Sequence, residues 1–387
     1  MSLFDIKSIF HSYESFKDRS ISPSKIFRHY KLLEIIKKYN NTCFTSITPI
    51  GFSVERREIF KIKWGIGKIK VFIWSQMHGN ETTGTKSMFD IFHFFSKQEN
   101  HDLVKFLKES LTVLYIPMLN PDGSEKFQRR NAINIDLNRD SVRLQSPEMQ
   151  VLFHEIYKES PHILFNLHDQ RSIYNVGNKY FNPAILSFLS PSVSSKEVDS
   201  IHRKKSMGIV HFIAKKIQKI LPDVGSIGRF SDEFYPTATG DNLQKLGFPC
   251  VLFEAGNYPK DNHKEIIRKY NALSILAGFY FISSHKENLE KNYEHYFSIS
   301  ENKNVLLDKI YRKVQIKKDD NQFIIDIGLM NFEEFDFEKK NLSFISKIVD
   351  IGDLSNFFAY EEFITPGQIF YGKKYPEIGD LEFFKVL

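Results

Sequence analysis

The sequence predicts an α/β protein with a mixed central β-sheet flanked by helices, followed by a small β-rich C-terminal domain. Up to about residue 298, short apolar runs that are typical of buried strands alternate with segments whose apolar residues recur at helical spacing. Several of these runs end in short polar clusters. After residue 298 only short β-like runs remain, separated by Asp, Gly, Asn and Pro. We therefore expect a large domain over residues 1–298 and a small one over residues 299–387.

The composition is that of an ordinary globular protein. Of the 387 residues, 42% are hydrophobic and 26% are charged, and a chain of this length can bury a sizeable core. The net charge of +6 is modest and no block of Lys and Arg stands out, so we expect no nucleic-acid partner. No apolar run approaches the about 20 residues of a membrane span, and the amino terminus lacks the pattern of a secretion signal. We therefore expect a cytoplasmic protein without a membrane partner. Cys43 and Cys250 form no CxxC pair, which argues against a thiolate zinc site and a disulfide framework.

The first polar cluster is the sequence His-Gly-Asn-Glu at residues 78–81. It follows the apolar run Ile69–Trp74 and precedes Thr82–Phe95, which becomes apolar at helical spacing, so we predict a buried strand, a tight turn and a helix. Open α/β sheets place their sites at the carboxyl ends of strands. An imidazole and a carboxylate at this spacing can converge on one metal ion. Alone the pattern is weak, because many helices carry it as a solvated pair.

Three more predicted strands end in polar residues. The run Leu111–Pro117 leads to Asn-Pro-Asp-Gly at 120–123, His162–Leu167 leads to His168, and Leu246–Phe253 leads to Glu254.

The connecting segments are also predicted from their composition. Residues 124–145 show no clean periodicity and are expected to form a long loop, which in a compact domain is usually functional. Residues 170–200, rich in Ser, Asn and Pro, are expected to be surface loops near the mouth of the site. A long helical pattern over residues 262–296 closes the large domain.

In their order along the chain, the polar clusters resemble those of the zinc carboxypeptidases of the M14 (carboxypeptidase A-like) family. The clusters are His-Gly-Asn-Glu at 78–81, Asn-Pro-Asp-Gly at 120–123, Asp-Leu-Asn-Arg at 136–139, Asn-Leu-His-Asp at 166–169 and Phe-Glu-Ala-Gly at 253–256. The resemblance spans roughly residues 40–282. It implies a zinc metallocarboxypeptidase, a hydrolase that cleaves the amide bond adjacent to a free C-terminal carboxylate in a peptide or small amide substrate.

The resemblance also implies the metal site and the base. One Zn²⁺ per chain would be held by His78, Glu81 and His168, a His₂Glu set that leaves one position open for water. Zinc would activate that water, and Glu254 would act as the general base. Asp136 would accept a hydrogen bond from His78 and fix its tautomer.

The remaining roles concern the substrate. Asn138 and Arg139 would hold its terminal carboxylate, for which the planar fork of arginine is suited. Arg129 would polarise the scissile carbonyl, with the adjacent Arg130 as a competitor.

Two positions that would contact the terminal residue are less specific. Tyr235 resembles the mobile tyrosine that caps the terminal carboxylate, and Tyr174 and Tyr258 are rivals for this role. Asp241 falls near the position that sets side-chain preference, where an acidic group would favour a basic residue.

Two other functions remain open at this point. The His-Gly-Asn-Glu form also occurs in N-acyl amino acid deacylases of the aspartoacylase and succinylglutamate desuccinylase type, which use an Asp-Leu-Asn-Arg segment and carry a C-terminal β domain. A catalytically dead binding protein on the same fold is the third possibility. The presence of every zinc ligand and of the base argues against it.

Overall fold

The computed structural model describes residues 3–39, 44–194, 200–336, 338, 341–372 and 375–386. Cys43 lies outside these ranges, and Cys250 is a buried free thiol. Among the helices within these ranges, none combines the length and the apolar character that crossing a bilayer would require.

The large domain is built on an eight-stranded mixed sheet, in which the four central strands run parallel. The strands of this domain are β1 Ser46–Phe52, β2 Glu58–Trp64, β3 Ile69–Trp74, β4 Leu111–Ile116, β5 Ile163–Asp169, β6 Tyr174–Val176, β7 Ala184–Leu189, β8 Ser226–Arg229 and β9 Cys250–Ala255. The sheet has the order β1-β2-β4-β3-β5-β9-β7-β8, with β4, β3, β5 and β9 parallel and β1, β2 and β7 antiparallel to their inner neighbours. The predicted mixed α/β sheet is confirmed.

Helices cover both faces of this sheet. They are α1 Ile6–Phe16, α2 His29–Tyr39, α3 Thr83–Lys97, α4 Asp102–Ser110, α5 Pro121–Glu125, α6 Pro147–Glu159, α7 Ile201–Ile217, α8 Thr239–Lys245 and α9 Glu265–His285, with 3₁₀ turns at Leu137–Arg139 and Tyr293–Ser298. Local sequence explains several of the helix starts. In α5, for example, Pro121 occupies the first turn and the Asn120 side chain accepts a hydrogen bond from the N–H of Gly123.

The alternation of side chains along β3 divides the core into two layers. Val71 and Ile73 join the apolar cluster formed with α3, α7 and α9, whereas Phe72 and Trp74 join a second cluster formed with α6. All four side chains are buried. Because both faces of a central parallel strand are covered, the strand is apolar at successive positions rather than at every second one.

One predicted loop region contains sheet strands. Within residues 170–200, the structure places β7 Ala184–Leu189 as a fully buried strand between β9 and β8. The prediction of surface loops there was wrong, because the Ser-, Asn- and Pro-rich flanks outweighed a short apolar run whose neighbours in the sheet are far away in sequence.

The C-terminal region is β-rich, as predicted, and its main sheet is four-stranded with the order β13-β12-β11-β14. Its strands are β11 Leu306–Lys318, β12 Asn321–Asp336, β13 Asn341–Gly352 and β14 Phe358–Ile364, with a two-stranded addition of β15 Phe370–Tyr371 and β16 Lys385–Val386. We call this region, β11 to β16, the C-terminal module. The short strand β10 Asn302–Asn304 precedes it and pairs with β6 of the large domain. The domain boundary after residue 298 stays a prediction.

Candidate metal centre and active site

The turn at residues 78–81 lies at the carboxyl end of β3, where β4 and β5 also end. Gly79 is required there because a Cβ atom at this position would lie 2.1 Å from the carbonyl carbon of Gly123 in the Asn-Pro-Asp-Gly turn. The two turns therefore pack backbone against backbone. The N–H of Glu81 donates to the carbonyl of His78, which fixes the tight turn before α3.

His78, Glu81 and His168 converge in one cluster. One candidate ligand atom from each lies within 4.8 Å of those of the other two. The Nδ1 atoms of His78 and His168 lie 2.8 Å from different oxygens of the Glu81 carboxylate. The two imidazoles are buried, and the Glu81 side chain is 11% exposed. Two imidazole nitrogens and one carboxylate that face one another are a donor set suited to zinc.

Asp136 orients the first of these ligands. Its Oδ1 lies 3.1 Å from Nε2 of His78 and accepts the N–H of Asn138 at 3.0 Å. Burial raises the pKa of Asp136, but the hydrogen bond from His78 and the charges of His78 and Arg129 outweigh it and hold the pKa well below its usual range. An ionised Asp136 favours a proton on Nε2 of His78. Nδ1 then carries no proton, so its lone pair can ligate a metal ion.

Arg129 reaches this cluster, whereas Arg130 does not. Nε of Arg129 donates to Asp136 at 3.0 Å, and its Nη1 lies 3.1 Å from Nδ1 of His78 and 3.3 Å from Oε1 of Glu81. Arg130 instead donates to the carbonyl of Asn134 within its own loop. The structure thus brings only the first of these two arginines to the ligand cluster.

Glu254 lies beside His168 on the neighbouring strand. The two residues are paired in the register of β9 and β5, and Ser187 of β7 is the partner of Glu254 on the other side. Burial, with the charges of Glu81 and Asp169, raises the pKa of Glu254 well above its ordinary value. The positive charges of Lys264 and Arg129 act in the opposite direction.

The residues predicted to bind a terminal carboxylate form a second group. The Arg139 guanidinium lies over the Tyr235 ring, 4.4 Å from its centroid, and both side chains are accessible to solvent. Asn138 accepts the N–H of Thr239 through Oδ1 at 2.9 Å.

Asp241 hydrogen-bonds to the backbone of Tyr235. Its Oδ1 accepts the N–H of Tyr235 at 3.0 Å, and burial raises the pKa of Asp241 to about 6. Of the rival tyrosines, Tyr258 packs against the main core cluster, and burial and the charge of Glu254 raise the pKa of Tyr174. Only Tyr235, among the three, contacts Arg139 in the described part of the chain.

Lys264, a buried cation close to this site, was not predicted from the sequence. Nζ of Lys264 donates to the carbonyls of Gln170 at 2.8 Å and Ala255 at 2.9 Å. These carbonyls directly follow the strand ends that carry His168 and Glu254. Lys264 has φ of 56° and lies just before α9, within the helical pattern predicted over residues 262–296, and that pattern assigned it no chemical role.

The site is separate from the largest cavity that we describe. That cavity, of about 960 Å³, is lined by residues of β6, β8 and α7, including His211 and Lys215, and none of the site residues above lines it.

Residues 32–179 match the protein-family model Peptidase_M14, described as zinc carboxypeptidase. Carboxypeptidase 2 of Trichophyton rubrum is 33% identical over 102 residues, which is 26% of this chain and 19% of that protein. Carboxypeptidase D of Anas platyrhynchos is 30% identical over 135 residues, which is 29% of this chain and 10% of that protein. The chain thus spans a small fraction of these curated relatives.

Solved structures show the same fold at low sequence identity. The metallo-carboxypeptidase from Burkholderia cenocepacia superposes with a TM-score of 0.52 at 15% identity, over 66% of this chain and 70% of that one. The carboxypeptidase A from Helicoverpa armigera gives 0.51 at 16% identity, over 72% and 81% of the two chains. The fold predicted for the large domain is confirmed.

Proposed function

We propose that this chain, which resembles the M14 zinc carboxypeptidases in sequence and in fold, is a zinc-dependent metallocarboxypeptidase. The observation that supports it most directly is the cluster of two imidazoles and one carboxylate, with ligand atoms within 4.8 Å of one another. The proposed reaction is hydrolysis of the amide bond next to a free C-terminal carboxylate, in a peptide or small amide.

His78, Glu81 and His168 would hold one Zn²⁺, which when bound lowers the pKa of water and polarises a carbonyl group. Glu254, beside His168, would accept a proton from the attacking water and deliver it to the leaving amine. Arg129 would stabilise negative charge on the carbonyl oxygen through its guanidinium.

Arg139, Asn138 and Tyr235 would hold the substrate's terminal carboxylate. The contact of the guanidinium with the Tyr235 ring supports a shared role, because it brings a charged fork and a phenol to one place. Asp241 would set the preference for the terminal side chain, with basic residues favoured.

Metal content tests the ligand assignment. We expect about one zinc per chain in the purified protein and a large loss of zinc in His168→Ala, because a three-ligand site that loses one ligand binds zinc far more weakly. The matched control is His154→Ala, which removes an exposed imidazole from α6 and should leave the zinc content unchanged. Full zinc in His168→Ala would refute the assignment.

Substrate choice separates the proposal from its rival, an N-acyl amino acid deacylase of the aspartoacylase and succinylglutamate desuccinylase type. A carboxypeptidase should release the terminal residue from unblocked dipeptides and tripeptides. Release of amino acids from acetyl-aspartate or succinyl-glutamate, with none from peptides, would favour the deacylase.

A further inference from the structure

The C-terminal module contacts the loop that follows the ligand-bearing strand β5. The N–H of Leu306 donates to the carbonyl of Ile173 at 3.1 Å, and the hydroxyl of Tyr360 donates to the carbonyl of Ser172 at 3.1 Å. The side chain of Ile173 is buried in an apolar cluster with Leu307, Ile310 and other residues of the module. The module therefore contacts the segment just beyond His168 through the backbone carbonyls of Ser172 and Ile173 and through the side chain of Ile173.

A second contact area lies at the far end of β12. Glu333 forms an ion pair with Lys25, whose side chain is only 10% exposed. The Phe335 ring lies 6.1 Å from the Phe127 ring, centroid to centroid. The Arg28 guanidinium lies 5.9 Å from the centroid of the Phe335 ring. The module thus packs on two further segments of the large domain.

Both segments adjoin the candidate centre. The hydroxyl of Thr82, the neighbour of Glu81, donates to the carbonyl of Lys25 at 2.6 Å. Phe127 comes just before Arg129 in the same loop. The two contact areas of the module therefore lie against the loop after His168, the loop that carries Arg129, and a segment hydrogen-bonded to the neighbour of Glu81.

Tyr174 packs against the module, and its pKa is affected by the charge of the proposed base, Glu254. Its side chain packs against the apolar cluster that the module forms with Ile173, and its ring lies 5.1 Å from that of Phe230. Burial and the nearby charge of Glu254 raise the pKa of Tyr174. A half-buried tyrosine that packs against the module is thus also affected by the charge of Glu254.

The residues proposed to hold the terminal carboxylate lie apart from these contacts. Arg139 contacts Tyr235 and Asn138 contacts Thr239, and within the described ranges we find no contact of Arg139, Asn138, Tyr235 or Asp241 with the module. With a terminal residue bound there, the rest of the substrate would pass the metal cluster towards the loops of residues 127–129 and 171–174. That is the side on which the module packs.

We propose that the C-terminal module forms the upstream wall of the substrate cleft and restricts this enzyme to short peptides and small amides, excluding the tails of folded proteins. The inference rests on the proposed carboxypeptidase function. The wall is built from residues 171–174 of the large domain, with β11 and β14 of the module behind them, and from residues 127–129, with β12 behind them.

A substrate series of increasing upstream length tests this proposal on the full chain. All members share one terminal residue and range from a dipeptide to a ten-residue peptide and a folded protein with the same tail. We expect kcat/KM to fall at least about tenfold between the tripeptide and the ten-residue peptide, since the longer chain meets the wall in the transition state. Equal kcat/KM across the series would overturn the proposal.

A paired variant tests the role of the module itself. Glu333→Gln with Phe335→Ala weakens the second contact area and should raise kcat/KM for the ten-residue peptide relative to the dipeptide by about fivefold or more. The matched control is Glu334→Gln with Phe332→Ala, which makes the same changes on the opposite face of β12 and should leave the ratio unchanged. Equal losses on both substrates, or the same ratio change in the control, would contradict the wall.

Binding without turnover distinguishes this inference from the proposed function. Ketomethylene analogues of the dipeptide and the ten-residue peptide cannot be cleaved. Titration calorimetry measures their affinity for the wild-type protein, so this experiment does not depend on the folding of a variant. Tighter binding of the short analogue, together with an absence of hydrolysis, would support the wall and refute the carboxypeptidase. Hydrolysis with equal binding and equal rates at all lengths would refute the wall alone.

Discussion

Glu254 is the residue whose proposed catalytic role is easiest to distinguish from a structural role. Its side chain is half-buried, on the strand beside His168, and is not one of the three converging ligands. Glu254→Gln keeps the size of the side chain and removes the proton acceptor. We expect zinc to stay bound and turnover to fall by roughly two or more orders of magnitude. Wild-type turnover in this variant would mean that another group is the base, and loss of zinc would make Glu254 a ligand.

Arg139 should act only on substrates with a free carboxylate. Arg139→Ala removes a charge-assisted contact worth on the order of 2 kcal/mol, so kcat/KM for a free-carboxylate peptide should fall about 30-fold. The corresponding peptide amide should be affected much less. Arg143→Ala, an exposed arginine of the same loop, is the control and should change neither substrate. An equal loss on the acid and the amide would remove Arg139 from carboxylate binding.

Single residues also show which features of the site could be predicted from the sequence and which could not. His78, Glu81 and His168 could be predicted because each follows an apolar run in the local sequence. The preference for Arg129 over Arg130 came from the family resemblance alone, because the local sequence does not show where either guanidinium lies in a loop with positive φ at Phe127 (48°) and Asn134 (66°). Lys264 was missed for a similar reason, since its partners are two backbone carbonyls, of Gln170 and Ala255, that the pairing of β5 with β9 brings together.

At the scale of elements, buried polar contacts join the amino-terminal helices to the sheet domain. Arg268 of α9 and Asp90 of α3 form a fully buried ion pair, and the hydroxyl of Tyr13 in α1 donates to the same carboxylate. The N–H of Asp18, just after α1, donates to Asp90 at 2.9 Å, and the Asp18 carboxylate accepts from Lys38 at the end of α2. Four helices, α1, α2, α3 and α9, and the chain after α1 are thereby linked through two carboxylates.

This arrangement predicts a specific acid sensitivity. Burial raises the pKa of Asp18, but hydrogen bonds from Lys38, Ser20 and Tyr39 outweigh it and lower the pKa from 3.8 to about 2. A lowered pKa contributes stability above the unfolded value, here about 2 kcal/mol, and that contribution is lost as the pH falls from about 4 through 2.

The measurement is the free energy of unfolding of metal-free protein between pH 5 and 2. Asp18→Asn should be less stable than wild type by about 2 kcal/mol at pH 5, and the difference should shrink towards pH 2. Asp5→Asn, at the exposed cap of α1, is the control. A difference between Asp18→Asn and wild type that does not depend on pH would contradict the assignment.

Elements that depend on distant partners were the hardest to predict. β3, β4 and β5 are apolar at successive positions because helices cover both faces, and this pattern is visible locally. β7 is equally buried but short, and its pairing with β9 and β8 joins segments far apart in the chain. The long loop over residues 124–145 was anticipated as functional, and it carries Asp136 and Arg129.

At the scale of the whole molecule, the candidate metal centre joins elements that are distant in sequence. His78 and Glu81 precede α3, His168 ends β5, and the module packs against the loop beyond it. A ligand that binds only the folded state stabilises it by mass action, by about 4 kcal/mol when free zinc exceeds its Kd 1,000-fold. Zinc should therefore stabilise the complete chain and not merely the site.

Chelation tests this linkage without any assay of activity. Removing zinc from the wild type should lower Tm by several degrees, and adding zinc back should restore it, because the ion contributes folding free energy in proportion to its binding. His168→Ala should begin near the metal-free Tm and respond little to chelator, whereas His154→Ala should behave as the wild type does. If the chelator lowers the Tm of His168→Ala as much as that of the wild type, the stabilising zinc binds elsewhere in the chain, and the assignment of the cluster at residues 78, 81 and 168 is wrong.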